Sequence, residues 1–500
     1  MTHILQSLTR SPPTPLYASL TSLWQHLSYR MPTHENSLQN MVDLGIVTPD
    51  DVDAAASGSS PIALASLDPL LTRLLALRTA SETKGSVYAH LEDAKDLVVR
   101  LISHRPLMFM GPGDGYLLRD GKTRSMGGFG SLPLRTDKNT NNDNDNAGSG
   151  GDDLVLDEYI EYGEMVWSAL LGVSVPTPFL NTGSRYNRAD FAGINDWEAT
   201  TEPAGVYVGL VGARFERPGA MEYGYCALHA KYATDQRGYG PDGLASVVNP
   251  ELDLLAAAMG LPWFETYVHA AAAAEAGELA EDAPVREVEG EQDLALLPPP
   301  LMADSRAVGY RYEKLGSSTV LDRMVYWRRM AVTALTFLRE ANERAKALDT
   351  VAYCHVVGLG LGVWELSPSQ TPLFVDAFGS VLQHEPLPNV GTVDFSWLRG
   401  IESCRDVASG QILPSSSPET PGGGTKIVFS KRDPADQLTG DHKDDLLVAM
   451  YAWDSNSWPG NEYWAGSLAA SGDPAAACCS AIPELQNPDI NPHLSTVHWL

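Results

Sequence analysis

The sequence predicts an α/β fold preceded by a mainly helical N-terminal region, and three observations carry that expectation. Two short apolar runs, Gly205 to Ala213 (GVYVGLVGA) and Leu446 to Met450, are continuous rather than alternating, as in strands buried on both faces of a parallel sheet. A β-rich run, Val351 to Trp364 (VAYCHVVGLGLGVW), follows a long helical pattern from Ser318 to Leu348 that puts Leu321, Met324, Val325, Val332, Leu335 and Leu338 on one side. After Asp153 helical and strand patterns alternate, whereas the first 100 residues are mostly helical, with apolar helical spacing from Leu64 to Leu77.

In chain order, residues 1–153 read as the helical region, ending in the polar stretch Thr136 to Asp153 (TDKNTNNDNDNAGSGGDD), which has nothing to bury and reads as a loop. Residues 154–500 read as one larger domain. Leu154 to Leu171 predicts an acidic amphipathic helix and Leu252 to Met259 a further helix; Ile427 to Phe429 predicts a short strand. Two insertions interrupt the domain, an Ala-rich acidic stretch within 270–300 and PSSSPETPGGGT at 414–425. No internal repeat is visible.

Composition narrows the function. A chain of 500 residues, 44% hydrophobic, can bury a full core. A formal net charge of −28 argues against general nucleic-acid or anionic-membrane binding, which needs clustered cations, and suits a basic protein or basic side chain as partner. The five cysteines form neither a CxxC pair nor a Cys/His set at zinc spacing, so reduced thiols are expected. The acidic clusters lack EF-hand or two-metal spacing, so a divalent metal is left open without support from the pattern, and no cofactor is expected. With neither a signal-peptide core nor an apolar run of about 18 residues, the expected location is cytoplasmic or nuclear. There is no GxSxG elbow and no HExxH pair.

The candidate site begins where the run Leu446 to Met450 stops in a loop crowded with Asp454, Asn456, Gly460, Asn461, Glu462, Tyr463 and Trp464. Parallel sheets bind ligands beyond the carboxyl ends of their strands, so this polar cluster sits where a ligand would. Gly358, Leu359, Gly360 and Gly362 form a second candidate, because glycines lack Cβ and let backbone N–H groups approach a diphosphate; a tight strand crossing reads from the same residues. The pattern is neither the Rossmann fingerprint nor a Walker motif. Trp364 and Phe378 could stack on an adenine or belong to the core. Arg214 and Phe215, with Glu216 and Glu222, form either a ligand wall or a salt-bridged turn.

Carboxylates concentrate at Asp433, Asp436, Asp441, Asp444, Asp445 and Asp454, and the expectation is that they converge. Asp441 to Asp445 also read as a solvated loop, and Asp436 as a helix cap. His355, alone on an apolar strand, reads as a core histidine.

Taken together, VAYCHVVGLGLGVW, the aspartate-rich segment and AWDSNSWPGNEYW with the following SLAASGDPAAACCSAIPELQNPDINP resemble macrodomain-type ADP-ribosylhydrolases, in particular the family around the bacterial effector MavL, over roughly Leu154 to Leu500. The resemblance implies a macrodomain-like mixed sheet between helices, with ADP-ribose lying across strand-end loops. It implies hydrolysis of ADP-ribosylated arginine, with ubiquitin as the protein partner it suggests. It also implies catalytic roles for Asp436, Asp444 and Asp454, a diphosphate cradle at Gly358, Gly360 and Gly362, and a ribose-end loop at Asn456 to Trp464. The three glycines and paired glutamates of poly(ADP-ribose) glycohydrolases are absent, since Gly422 to Gly424 lead only to Thr425, Lys426 and Ile427.

Arginine chemistry is coherent with such a site. The N-glycosidic bond breaks through an oxocarbenium-like state that a carboxylate stabilises while positioning water, and a second carboxylate can hold the departing guanidinium. Two other readings stay open at this point: an ADP-ribose-binding protein without hydrolysis, and an interaction scaffold.

Overall fold

The continuous apolar runs become the middle of a nine-stranded sheet. Its strands are β1 (Ser60–Ala63), β2 (Gly172–Pro178), β3 (Ala204–Leu210), β4 (Ala352–Val356), β5 (Val390–Ser396), β6 (Ile412–Pro414), β7 (Gly424–Ser430), β8 (Leu446–Ala452) and β9 (His498–Trp499). They stand in the order β6-β7-β5-β4-β8-β3-β2-β1-β9. Strands β7, β5, β4, β8 and β3 are mutually parallel. Strand β6 runs antiparallel to β7, and β2 antiparallel to both β3 and β1, so the sheet is mixed. The computed structural model describes every residue except 1, 13, 125–127, 136–153, 192, 230–249, 261–293, 305, 307, 317–318, 417–422, 455 and 470–471. The expected loop at 136–153 and most of the acidic insertion lie outside the described residues.

Every residue of β2, β3 and β4 is buried, as both-face coverage requires. The helices that matter here are α1 (Pro49–Gly58), α2 (Leu67–Thr79), α3 (Ala94–Ser103), α4 (Tyr162–Ser168), α5 (Arg323–Ala347), α6 (Gln370–His384) and α7 (Gly472–Cys479). Helix α5 covers one face, where Ser174 Oγ of β2 donates to Glu340. The opposite face carries Tyr207, whose hydroxyl meets Cys479 Sγ of α7 at 3.1 Å, and Tyr353, whose ring packs edge-on against His442. His442 belongs to the crossover from β7 back to β8. Among the described residues no helix is long and apolar enough to cross a membrane.

Two helices differ from expectation for identifiable reasons. Helix α5 starts at Arg323 rather than Ser318, because Asp322 turns its carboxylate onto the backbone N–H groups of Met324 and Val325 as an N-cap. The preceding Thr319–Asp322 is a strand paired with Tyr312–Leu315 and Ala227–His229. Helix α4 covers only Tyr162–Ser168 of the acidic pattern from Leu154 to Leu171. There Glu161 and Glu164 form a capping box and are drawn into ion pairs, Glu161 with Arg78 and Lys84, Glu164 with Arg100.

The N-terminal region is built into the sheet. Strand β1 follows α1, which opens with a Thr48/Asp51 capping box, and pairs with β2 and β9. Arg10 reaches Glu340 of α5 at 2.6 Å, and one apolar core runs from Leu5 to Leu500. Among the described residues that core is shared by residues before 136 and after 153.

Candidate functional site

Because β3, β8 and β4 are parallel neighbours, the loops leaving their carboxyl ends emerge at one edge of the sheet. They pack on one another there. A Cβ placed on Gly212, beyond β3, would lie 2.4 Å from the backbone nitrogen of Gly360, beyond β4. Gly360 itself has φ +70°, where a side chain is strained. Trp453, leaving β8, donates its backbone N–H to Leu210 O at 2.9 Å.

The three loops bring Arg214 and Asp454 together. Arg214 Nη1 donates to Asp454 Oδ1 at 2.7 Å, while Nε and Nη2 donate to Glu216. The guanidinium is buried and packs over the rings of Phe109 (4.9 Å) and Trp364 (5.2 Å). Behind it, the backbone N–H of Arg214 donates to Glu222 Oε2 at 2.9 Å, and Glu222 Oε1 accepts from Arg329 Nε of α5 at 3.0 Å. Glu222 and Arg329 are both fully buried.

Burial pushes the Asp454 carboxyl up to about 6; Arg214 pulls it down, Glu216 and Glu462 push it further up, and the N–H of Asn456 stabilises the ionised form. Oδ1 is taken by Arg214 and Asn456 N, whereas Oδ2 meets Asn461 Nδ2 at 3.4 Å.

Asn461 is itself fixed: its Oδ1 accepts from Phe109 N at 2.8 Å. Asp473, at the start of α7, accepts from the backbone nitrogens of Gly460 (2.8 Å) and Asn461 (2.9 Å). Burial raises the Asp473 carboxyl well above the usual range. Gly460 has φ +85°, the turn that lets both N–H groups face one carboxylate.

The other aspartates do not join this cluster. The expectation that Asp436, Asp444 and Asp454 converge is corrected by strand direction. Asp444 and Asp454 flank β8 at opposite ends, and a seven-residue strand spans about 20 Å. The Asp444 side chain is 86% exposed and that of Asp454 only 8%. Asp436 bridges to Thr201 just before β3, whereas Arg214 lies just after it; its Oδ2 accepts from Asp433 N at 2.9 Å. Burial raises both Asp433 and Asp436, and Asp436 also repels Asp433.

Two of the expected ligand contacts have side chains in the core. Phe378 on α6 is fully buried among Phe337, Phe374 and Phe395. Tyr463 is fully buried, with its hydroxyl donating to Asn36 Oδ1. Leu359 turns a fully buried side chain inward, leaving only its backbone at the loop, while Gly358 and Gly360 are half-buried and Gly362 is exposed. Trp364 is half-buried at Arg214; Phe215 is buried edge-on against Tyr223. Asn456 is buried and Glu462 half-buried in the β8 loop. His355 is a core residue, its Nε2 3.1 Å from Arg432 O and its ring driven down to about 4 by burial.

Sequence reasoning missed Phe109 and Asp473. Both act through long-range partners, and only the GDP turn before an alanine run signals Asp473 as a possible helix start.

A family model described as ADP-ribosylhydrolase MavL-like matches residues 48–268 and 299–499. The chain belongs to that family. The match begins at 48, well before the Leu154 where the sequence resemblance began, and takes in β1 as well as Phe109, Arg214, Asp454 and Asp473. Two Drosophila melanogaster proteins are similar: ADP-ribosylarginine hydrolase CG3568, 34% identical over 83% of this chain and 72% of its own length, and ADP-ribosylarginine hydrolase CG2909, 33% identical over 79% and 68% respectively.

Proposed function

We propose that this MavL-like ADP-ribosylhydrolase removes ADP-ribose from arginine side chains of proteins, with Asp454 at the reacting ribose. The observation that carries the assignment of Asp454 is its place: a buried carboxylate, titrating at about 6, where the loops of three parallel strands meet. The arginine linkage is supported by the names of the two Drosophila relatives. Ubiquitin is the carrier protein that the likeness to the MavL group favours.

In this reading the backbone N–H groups of the Gly358–Gly362 loop face the diphosphate, and Trp364 lines the same edge. The bond from ribose C1″ to the guanidino nitrogen breaks with its electron pair passing to nitrogen. The positive charge left on the ribose is stabilised by ionised Asp454, which also takes the proton of the water that adds to C1″. The departing nitrogen takes a proton from solvent and leaves as arginine, and Asp454 returns the proton it took from the water to solvent. Glu462, half-buried beside Asp454, supplies a second carboxylate for the guanidinium.

The test is release of free ADP-ribose from an arginine-ADP-ribosylated protein, with serine- and glutamate-linked substrates alongside and Asp454→Asn as control. Release confined to the arginine linkage and lost in the variant is expected. No release from any linkage, with ADP-ribose still bound in calorimetry, overturns hydrolysis in favour of binding alone.

A further inference from the structure

Arg214 is unusual in its confinement. Its guanidinium is buried, packs on two aromatic rings, and spends three nitrogens on two carboxylates, while its backbone N–H is held by the buried Glu222–Arg329 pair. Such a side chain has no freedom to swing toward a ligand. What it does instead is occupy Asp454 Oδ1 and leave Oδ2, which meets only Asn461 Nδ2 at 3.4 Å among the described residues.

We propose that Arg214 is a positioning residue for the hydrolysis, locking Asp454 so that Oδ2 is the oxygen turned to the reacting sugar and water. The inference rests on the reading of Asp454 as the catalytic carboxylate. The planar fork is what suits arginine to this role, because one edge is anchored on Glu216 and the remaining Nη1 points in one direction only. A lysine would bring the charge without the direction.

Arg214 also governs when Asp454 is ionised, together with the charged and titratable groups that face it among the described residues. Glu216 stands on the β3 loop with Arg214, Glu462 on the β8 loop, Asp473 on α7, Tyr162 on α4, and Arg105 just after α3. Arg214 is the cation in direct contact. Removing it therefore raises the pH needed to ionise Asp454, and removing the negative charge of Glu216 lowers it.

The experiment is the pH dependence of kcat/KM for ADP-ribosylarginine protein with Arg214→Lys, Arg214→Gln and Glu216→Gln, each checked for folding by circular dichroism. Arg214→Gln is expected to move the acid limb up by about one unit or more, the size of shift an adjacent opposite charge produces. Glu216→Gln is expected to move it down. Arg214→Lys is expected to lower kcat by about tenfold to a hundredfold, with KM little changed, since misplacement of a reacting group by about 1 Å costs up to about a hundredfold.

Arg214→Lys with wild-type kcat overturns the positioning role, and it does so even where Arg214→Gln fails to fold. Arg214→Gln and Glu216→Gln moving the limb the same way overturns it too, because a merely structural role predicts no opposed shifts. Failure of the Asp454 assignment is separate: it shows as full activity of Asp454→Asn at all pH values.

Discussion

Gly212 and Gly360 meet with no room for a methyl group between them, so the loop beyond β3 and the loop beyond β4 form one surface. That contact sets the height of Arg214 on one side and of the candidate diphosphate loop on the other. Gly212→Ala must push the two backbones apart, since the clash is with Gly360 N and Leu359 C rather than with a flexible side-chain tip. We expect a loss of stability of about 1–3 kcal/mol, as for other overpacked sites, and a larger relative loss of activity. A thermal melt paired with an ADP-ribose release assay checks it; unchanged activity in a destabilised variant would separate this contact from the site.

The ionisation of Asp454 predicts the acid limb of the reaction. Desolvation raises its carboxyl to about 6, and only the ionised form can stabilise the ribosyl cation or accept a proton. Activity should therefore rise with pH through about 6 and level off above it. Asp454→Asn, nearly the same shape, should lose about a hundredfold or more in kcat, the scale of a missing general base. A stopped assay across pH 4.5 to 8, in steps of about half a unit, reads both, since one pKa spans about two units of pH.

Much of the frame was legible in the sequence because it rests on local patterns. The apolar runs at 205–213 and 446–450 are β3 and β8, and the polar loop after Met450 does stand at a strand's carboxyl end. Strand β2, GVSVPTP, was not legible: two prolines in seven residues disfavour a strand, and antiparallel pairing with β3 and β1 is what makes it one. Sequence proximity also misled. Asp436, Asp444 and Asp454 lie within twenty residues, but a parallel strand must be re-entered from its far edge, so the crossover carries Asp436 and Asp444 away from Asp454. Phe109 and Asp473 complete the site through pairings with Asn461, which no local pattern records.

That separation is testable. Asp444→Asn changes an exposed side chain whose nearest charged partner, Lys443, is 3.8 Å away and also exposed, so stability and kcat should stay near wild type. A severe kcat loss in Asp444→Asn, with the fold intact, would move the reacting ribose to the opposite edge of the sheet. Steady-state kinetics on the purified variant decides between the edges.

Asp473 offers a prediction about how the β8 loop is held. Its carboxylate accepts from Gly460 N and Asn461 N, the two groups that open the turn carrying Asn461 toward Asp454. Asp473→Ala should release that turn, increase proteolytic nicking in 455–465 and cut activity, while the sheet itself persists. Limited proteolysis with mass spectrometry reads the loop directly.

The pair of Glu222 and Arg329 is the deepest support of the site, and its loss separates scaffold from chemistry. Both side chains are fully buried, Arg329 also donates to Ala169 O and Val211 O, and Glu222 accepts the backbone N–H of Arg214. Arg329→Met leaves Glu222 as a buried, uncompensated carboxylate, which costs about 3–5 kcal/mol. Glu222→Gln keeps an acceptor for Arg214 N but leaves Arg329 as the buried, uncompensated charge, so it too should cost about 3–5 kcal/mol. The double variant, with no orphan charge, should recover part of the Arg329→Met loss, and urea melts of the four proteins yield the coupling. If the recovered protein still hydrolyses slowly, the pair holds Arg214 in register as well as holding the fold; if activity returns with stability, its contribution ends at the scaffold.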